Sequence, residues 1–244
     1  DGLIASLVNE IVEMGDDSLW VIPNGRALHC LVRGILRNIE MSDHFYPVVN
    51  HIIHSSDGYY YGLCDEGLYR LDQDHTPGSQ PARPHWTRIT LSDSAGTDVG
   101  RNILQGVEWH RQLILVCQPF PFSRTSLPSL IIYNLDTHQC IIPENTHLYT
   151  FAAITPNGHL LLTTDEGVRE VDAEALSHHI FHLLPPPHPY TTAGNILSEY
   201  LYFDRDSSLW LVPTRKIIRI DRGGGQQQFS EAGGLPTGET TSIL

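Results

Sequence analysis

The chain has 244 residues, 41% of them hydrophobic, with a formal net charge of −13. That size and apolar content suit one large all-β unit or two small domains with a real core. So acidic a surface, with Lys216 its single lysine, repels phosphate backbones and anionic lipid, which argues against nucleic acid as a partner.

Along the chain, the apolar pattern predicts short strands in groups of four. The first group opens with the alternating segment Val8 to Met14. It turns at Asp16-Asp17-Ser18 into Leu19-Trp20-Val21-Ile22, then continues through Asn24-Gly25 to Ala27-Leu28-His29-Cys30. The second runs from Val48 to His54, through Ser56-Asp57-Gly58, Tyr60-Tyr61-Gly62-Leu63 and Asp65-Glu66-Gly67-Leu68 to Leu71-Asp72, closing with His85 to Leu91. The third holds Asn102 to Trp109 and Leu113-Ile114-Leu115-Val116. After a long insertion come Leu130 to Asp136 and Gln139 to Ile142. The fourth holds Tyr149 to Ile154, Asn157-Gly158, Leu160-Leu161-Leu162-Thr163, Asp165-Glu166-Gly167-Val168 to Val171-Asp172, and Ile180 to Leu184. The fifth holds Leu197 to Phe203, Asp204-Arg205-Asp206, Leu209-Trp210-Leu211-Val212 and Lys216 to Asp221. Asn-Gly and Asp-Gly tolerate the positive φ of tight hairpins. No stretch sustains a 3.6-residue apolar period, so essentially no helix is expected.

These groups are an internal repeat. The segments around Tyr61, Leu161 and Trp210 superpose without gaps, and in each an aspartate follows eleven positions later: Asp72, Asp172 and Asp221. Weaker copies centre on Trp20 and Ile114. The anchors at 20, 61, 114, 161 and 210 step by 41, 53, 47 and 49 residues. A period of about 40–50 residues made of short strands is the β-propeller range. The fold expected is all-β, a β-propeller of four-stranded antiparallel blades, about five in this chain. Their approximate bounds are 6–41, 47–92, 101–145, 147–185 and 195–232, with 233–244 beginning a further blade. One blade cannot bury both faces alone, so Trp20, Tyr61, Leu161 and Trp210 are read as structural blade anchors packed between neighbouring sheets. The segments at both ends read as first strands. The chain is therefore expected to be a fragment of a larger, seven-bladed-type propeller.

The segment Asp206-Ser207-Ser208-Leu209-Trp210-Leu211-Val212-Pro213-Thr214 resembles the D-x-x-G-x-L-W-x-G-T signature of two-component regulator propeller repeats. Asp17-Ser18-Leu19-Trp20-Val21 is similar. Gly67-Leu68-Tyr69-Arg70-Leu71-Asp72 resembles that family's G-L-x-R-Y-D element. Gly234-Leu235-Pro236 with Thr241-Ser242-Ile243-Leu244, and Asp1-Gly2-Leu3 with Val8-Asn9-Glu10-Ile11, resemble its G-L-P spacer and V-x-S-I strand. The resemblance is strongest over 57–72, 158–172 and 206–244 and weakest over 101–145, and the usual G-T after the Trp is lost in several copies. It implies the periplasmic sensor region of a hybrid two-component histidine kinase of the Bacteroidetes type. Such a region is non-catalytic and recognises an oligosaccharide from glycan breakdown. Any kinase activity would lie in a C-terminal part outside this chain, and the remaining partners would be further blades, a second propeller of the same polypeptide, or a second copy in a homodimer. No cofactor is implied.

Candidate ligand-binding residues follow from loop length and composition. The long loop Gln118-Pro119-Phe120-Pro121-Phe122-Ser123-Arg124 exceeds its siblings, as functional loops do. Phe120 and Phe122 would stack on a sugar's apolar face, and Arg124 would bind hydroxyls or carboxylates. The linkers Asp43-His44-Phe45-Tyr46, Asp98 to Arg101 and His188-Pro189-Tyr190 combine polar groups with an aromatic. Tyr46, Arg101 and Tyr190 are the residues taken from them. Among 14 histidines, His178-His179 and His182 lack a carboxylate partner and make a poor metal site, and His51 and His54 lie on opposite faces of a strand, so no metal is expected. Cys30, Cys64, Cys117 and Cys140 form no C-x-x-C pair and are read as mostly buried free thiols. There is no G-x-S-x-G, H-E-x-x-H or phosphate loop. Glu10, Glu108 and Glu199, on predicted first strands, keep two alternatives open: a polysaccharide lyase or glycosidase, or a lyase of the streptogramin type. A non-catalytic protein-interaction propeller is the third reading.

Overall fold

A computed structural model describes residues 8–14, 18–23, 28–39, 48–72, 85–118, 128–144, 147–194, 196, 198, 200–213, 216–230 and 233. Among them are five four-stranded antiparallel sheets, each ordered as its strands follow in the chain. The first comprises β1 (Val8–Met14), β2 (Ser18–Pro23), β3 (Leu28–Val32) and β4 (Ile35–Ile39). The second comprises β5 (Val49–His54), β6 (Tyr60–Cys64), β7 (Gly67–Asp72) and β8 (His85–Ile89). β9 (Ile103–Trp109), β10 (Gln112–Cys117), β11 (Leu130–Asn134) and β12 (Cys140–Ile141) make the third. β13 (Tyr149–Ile154), β14 (Leu160–Thr164), β15 (Gly167–Val171) and β16 (Leu183–Leu184) make the fourth, and β17 (Tyr200–Phe203), β18 (Leu209–Val212), β19 (Lys216–Ile220) and β20 (Gln226–Ser230) the fifth. Each sheet is a meander, the blade unit expected from the repeat.

The repeat extends to individual hydrogen bonds. In the turn before β6, Ser55 N donates to Tyr59 O (2.9 Å) and Gly58 N to Ser55 O (2.9 Å); before β14, Thr155 N donates to His159 O (2.8 Å) and Gly158 N to Thr155 O (2.9 Å). Gly58 and Gly158 both sit at φ 86°, a left-handed conformation open to glycine at little cost, and Ser207 takes the same place before β18 at φ 61°. After β6 and β14, Asp65 N and Asp165 N each donate 3.1 Å back to the residue before the blade's first strand.

The chain divides into two compact units. One holds Asp1–Leu113, Gln118–Leu127 and Ile132–Cys140; the other holds Ile114–Cys117, Pro128–Ile131 and Ile141–Leu244. In the first unit, Trp20, Ile22, Leu28 and Cys30 share a buried cluster with Val49, Ile52, Tyr60, Tyr69 and Trp86 of the second blade. Trp20 meets Trp86 edge-on at 5.4 Å. Tyr61 points to the opposite face of its blade from Tyr60, toward Tyr133 of the third, whose charge adds to the upward shift of its phenol. In the second unit, Leu161 and Val168 pack on Leu201, Leu209, Leu211, Ile218 and Ile220 of the fifth blade. Trp20 (4% exposed), Tyr61 (1%) and Leu161 (0%) are thus buried by the blade that follows, each contributing about 1.5–3 kcal/mol. Trp210, at the equivalent place, is only half-buried.

Two short helices depart from the sequence expectation: α1 (Ala173–Ser177) and a 3-10 turn at Tyr190–Ala193. The carboxylate of Asp172 accepts from Ala175 N at 3.0 Å, which caps α1. Five residues are too few to display a 3.6-residue period, so the cap is the only sequence sign of it. All four cysteines are free; Cys30, Cys64 and Cys117 are buried and Cys140 is half-buried.

Candidate functional site

The second and third blades bring several polar loops together where their second strands turn back. Val48 N donates to Asp65 Oδ1 at 2.8 Å. Asn102 N donates to Asp65 O at 2.7 Å, which ties the connection before β9 to the β6–β7 turn. Asn102 holds φ 53°, a left-handed conformation asparagine adopts more readily than most residues. From there its Nδ2 donates to Gln118 O (2.7 Å), while Gln118 N donates to Asn102 O (3.0 Å). Two segments singled out separately in the sequence, Asp98 to Arg101 and the loop beginning at Gln118, are therefore neighbours.

Arg88 organises the same region. Its guanidinium pairs with Asp98 at 2.6 Å and donates to Glu66 O at 3.1 and 3.2 Å. Gly100 is buried tightly: a Cβ there would lie 2.8 Å from Leu91 Cδ1. Arg101, next in sequence, is exposed, and its guanidinium has no partner among the described residues. Next to it in the chain, the carboxamide of Asn102 is fixed on Gln118 O, and the carboxylate of Asp98 is held by Arg88. Such groups bind hydroxyls and carboxylates through multiple hydrogen bonds.

Tyr46, Phe120, Phe122 and Arg124 lie outside the described residues. Tyr190 is 6% exposed; its hydroxyl donates to Ser207 O at 2.7 Å and its ring meets Phe203 at 5.2 Å. Burial raises its phenol pKa, and it fastens the connection that leads into the fifth blade.

Of the groups weighed for catalysis or metal binding, Glu10, Glu108 and His182 have other partners. Glu10 Oε2 lies 2.8 Å from His51 Nδ1, linking the first strands of two blades. Glu108 accepts from Ser56 N at 2.6 Å and from the Ser56 hydroxyl. Arg111 donates to Ser56 Oγ at 3.1 Å and pairs with Asp136 at 2.6 Å, and this pairing lowers the Asp136 pKa. Glu199 lies outside the described residues. His178 and His182 share no strand: His178 ends α1 and His182 lies 3.4 Å from Asp172. Among the described residues no three His, Cys, Asp or Glu groups gather as a metal site. The Ser56–Glu108–Arg111–Asp136 network left no sequence signal, because 52 residues separate its first two members.

No family model and no curated protein sequence matches the chain. Solved structures do. The extracellular domain of a candidate hybrid two component system from B. thetaiotaomicron is similar at TM-score 0.65 and 12% identity, over 100% of this chain and 31% of that one. The extracellular domain of a candidate one component system from B. thetaiotaomicron gives 0.63 and 15%, over 96% of this chain and 32% of that one. The fold is a β-propeller. A gluconolactonase from Xanthomonas campestris has a similar fold, at TM-score 0.59 and 12% identity over 93% of this chain and 76% of that one. At these identities the likeness shows the fold alone, and this propeller chain spans only 31% and 32% of the two B. thetaiotaomicron domains. None of its helices among the described residues is long and apolar enough to cross a membrane.

Proposed function

We propose that this propeller is the ligand-binding part of a two-component-type sensor, placed in the periplasm, and that it recognises a glycan-derived oligosaccharide and relays the signal to a kinase. One observation carries the reading. The Asn102–Gln118 clasp, next to Arg101 in sequence, lies at the root of the longest loop between second and third strands, the loop whose sequence continues Pro119-Phe120-Pro121-Phe122-Ser123-Arg124. Aromatic rings that stack on C–H faces, beside guanidinium and carboxamide groups that bond hydroxyls, are the chemistry of sugar recognition. The B. thetaiotaomicron domains supply the fold-level analogy.

The test is titration calorimetry of the chain with a panel of host- and plant-glycan oligosaccharides, repeated with Arg101→Ala and with Phe120→Ala/Phe122→Ala. Binding by the parent chain that both variants lose supports the reading. Turnover of any glycan by the isolated chain would put an enzyme in its place.

A further inference from the structure

Each blade ends in an outer strand, and stacking covers a blade's faces while leaving that strand's edge open. β4 and β8 carry Arg37 and Arg88, and β12 and β16 are two residues each. Charges and short lengths of this kind keep edges from pairing with other chains. β20 has neither. It runs Gln226-Gln227-Gln228-Phe229-Ser230, stands at the edge of its sheet, and is exposed from Gln226 to Phe229. No charge or proline interrupts it, and Gly223-Gly224-Gly225 before it present no side chain to an approaching backbone.

The turn into β20 fixes which of its peptide groups are free. Asp221 N donates to Gly225 O (2.9 Å) and Gly224 N to Asp221 O (2.9 Å), with Gly224 at φ 83°. This is a three-residue hairpin closed by the Asp221–Gly225 pair. Hydrogen-bonded pairs then alternate along the ladder, at Arg219–Gln227 and Ile217–Phe229. The N–H and C=O groups of Gln226, Gln228 and Ser230 therefore point outward, away from β19. That pattern is self-complementary. Two such strands, antiparallel, with Gln228 opposite Gln228 of a second copy, match Gln226 to Ser230 on either side and satisfy every outward group.

Charge favours the same meeting. Residues 200–230 carry five cationic side chains against three acidic ones, a net of +2, which leaves −15 on the rest of a chain whose total is −13. Two copies therefore repel each other least through the fifth blade. We infer that β20 is a dimerisation edge, and that its occupant is β20 of a second copy, paired antiparallel about Gln228 into one continuous sheet. Phe229, 39% exposed in the single chain, then lies beside Gln227 of the other copy on one face of that sheet.

Sedimentation equilibrium over a concentration series reads the association, and the 27.4 kDa parent chain should dimerise. Gln228→Pro removes from each copy an outward N–H that β19 does not use. The far-ultraviolet spectrum should therefore stay unchanged while the dissociation constant rises at least about tenfold. Gln228→Lys places two like charges opposite each other and should weaken the dimer too, most of all at low salt. Under mild oxidation Gln228→Cys should give a disulfide-linked dimer that Gln226→Cys and the parent do not. In this register the two Cα atoms at position 228 are about 5.5 Å apart and the two at position 226 about 14 Å apart. A parent that stays monomeric at every concentration overturns the inference. So does a dimer that Gln228→Lys leaves intact, since another surface would then hold it, and so does cross-linking of Gln226→Cys as readily as of Gln228→Cys. Should Gln228→Pro fail to fold, the lysine and cysteine variants, which keep the backbone N–H, decide the question.

Discussion

Asn102 and Gln118 hold each other through two hydrogen bonds, Nδ2 to carbonyl at 2.7 Å and amide to carbonyl at 3.0 Å, although 16 residues separate them. The first depends on the Asn102 side chain and the second only on its backbone. Asn102→Gly should therefore lose one bond, about 1 kcal/mol. Asn102→Ala should lose that bond and also asparagine's tolerance of the left-handed φ of 53°, and so be the less stable of the two variants. Urea unfolding of the two variants checks the order. Equal losses would mean that the left-handed backbone relaxes.

Beside the clasp, Gly100 has no room for a side chain, since its neighbour Leu91 is 0% exposed and cannot swing into solvent. Gly100→Ala should cost about 1–3 kcal/mol by overpacking. It should also weaken ligand binding, because Arg101 is the next residue. A thermal melt and a binding titration on the same variant separate the two effects.

Tyr61 and Asp57 make a comparable pair in the second blade, the phenol donating to the carboxylate at 2.7 Å while its own residue is 1% exposed. Tyr61→Phe keeps the ring and frees a carboxylate that water can reach, so about 1 kcal/mol should be lost. Tyr61→Ala empties an interblade space and should cost about 3–5 kcal/mol. Comparable losses in chemical denaturation would show that the hydrogen bond, not the ring, carries the position.

The thiols give a pH dependence. Burial pushes Cys117 up to about 12 and Cys140 up to about 11, and Cys64 also well above the ordinary 9.0. The unfolded chain therefore releases these protons first as pH rises. The stability they contribute is complete below pH 9 and falls between about pH 9 and 12. Native protein at pH 8 should resist alkylation at Cys64 and Cys117, with Cys140, the half-buried thiol, reacting first. Mass spectrometry of iodoacetamide-treated protein identifies the sites.

The strands were legible because their signals are local. Asp57-Gly58 and Asn157-Gly158 announce the turns, and runs such as Leu160-Leu161-Leu162 announce strands buried on both faces. The period of the anchors then names the propeller. Helix α1 was not legible: five residues show no period, and only the Asp172 cap betrays it. The site was half legible. Loop length drew attention to Gln118, but nothing in the order of residues says that it meets Asn102.

By itself, then, the sequence determined which segments become strands, how they group into blades and which positions anchor them, since each depends on neighbours a few residues away. Only the tertiary structure decided that Arg88, and not Arg101, pairs with Asp98 among the described residues. It also decided that Glu10 and Glu108 are occupied by His51 and Ser56, and that Trp210 is half-buried where Trp20 and Leu161 are buried. These outcomes depend on which blade stacks on which, and stacking is set by burial of whole faces rather than by any stretch of sequence.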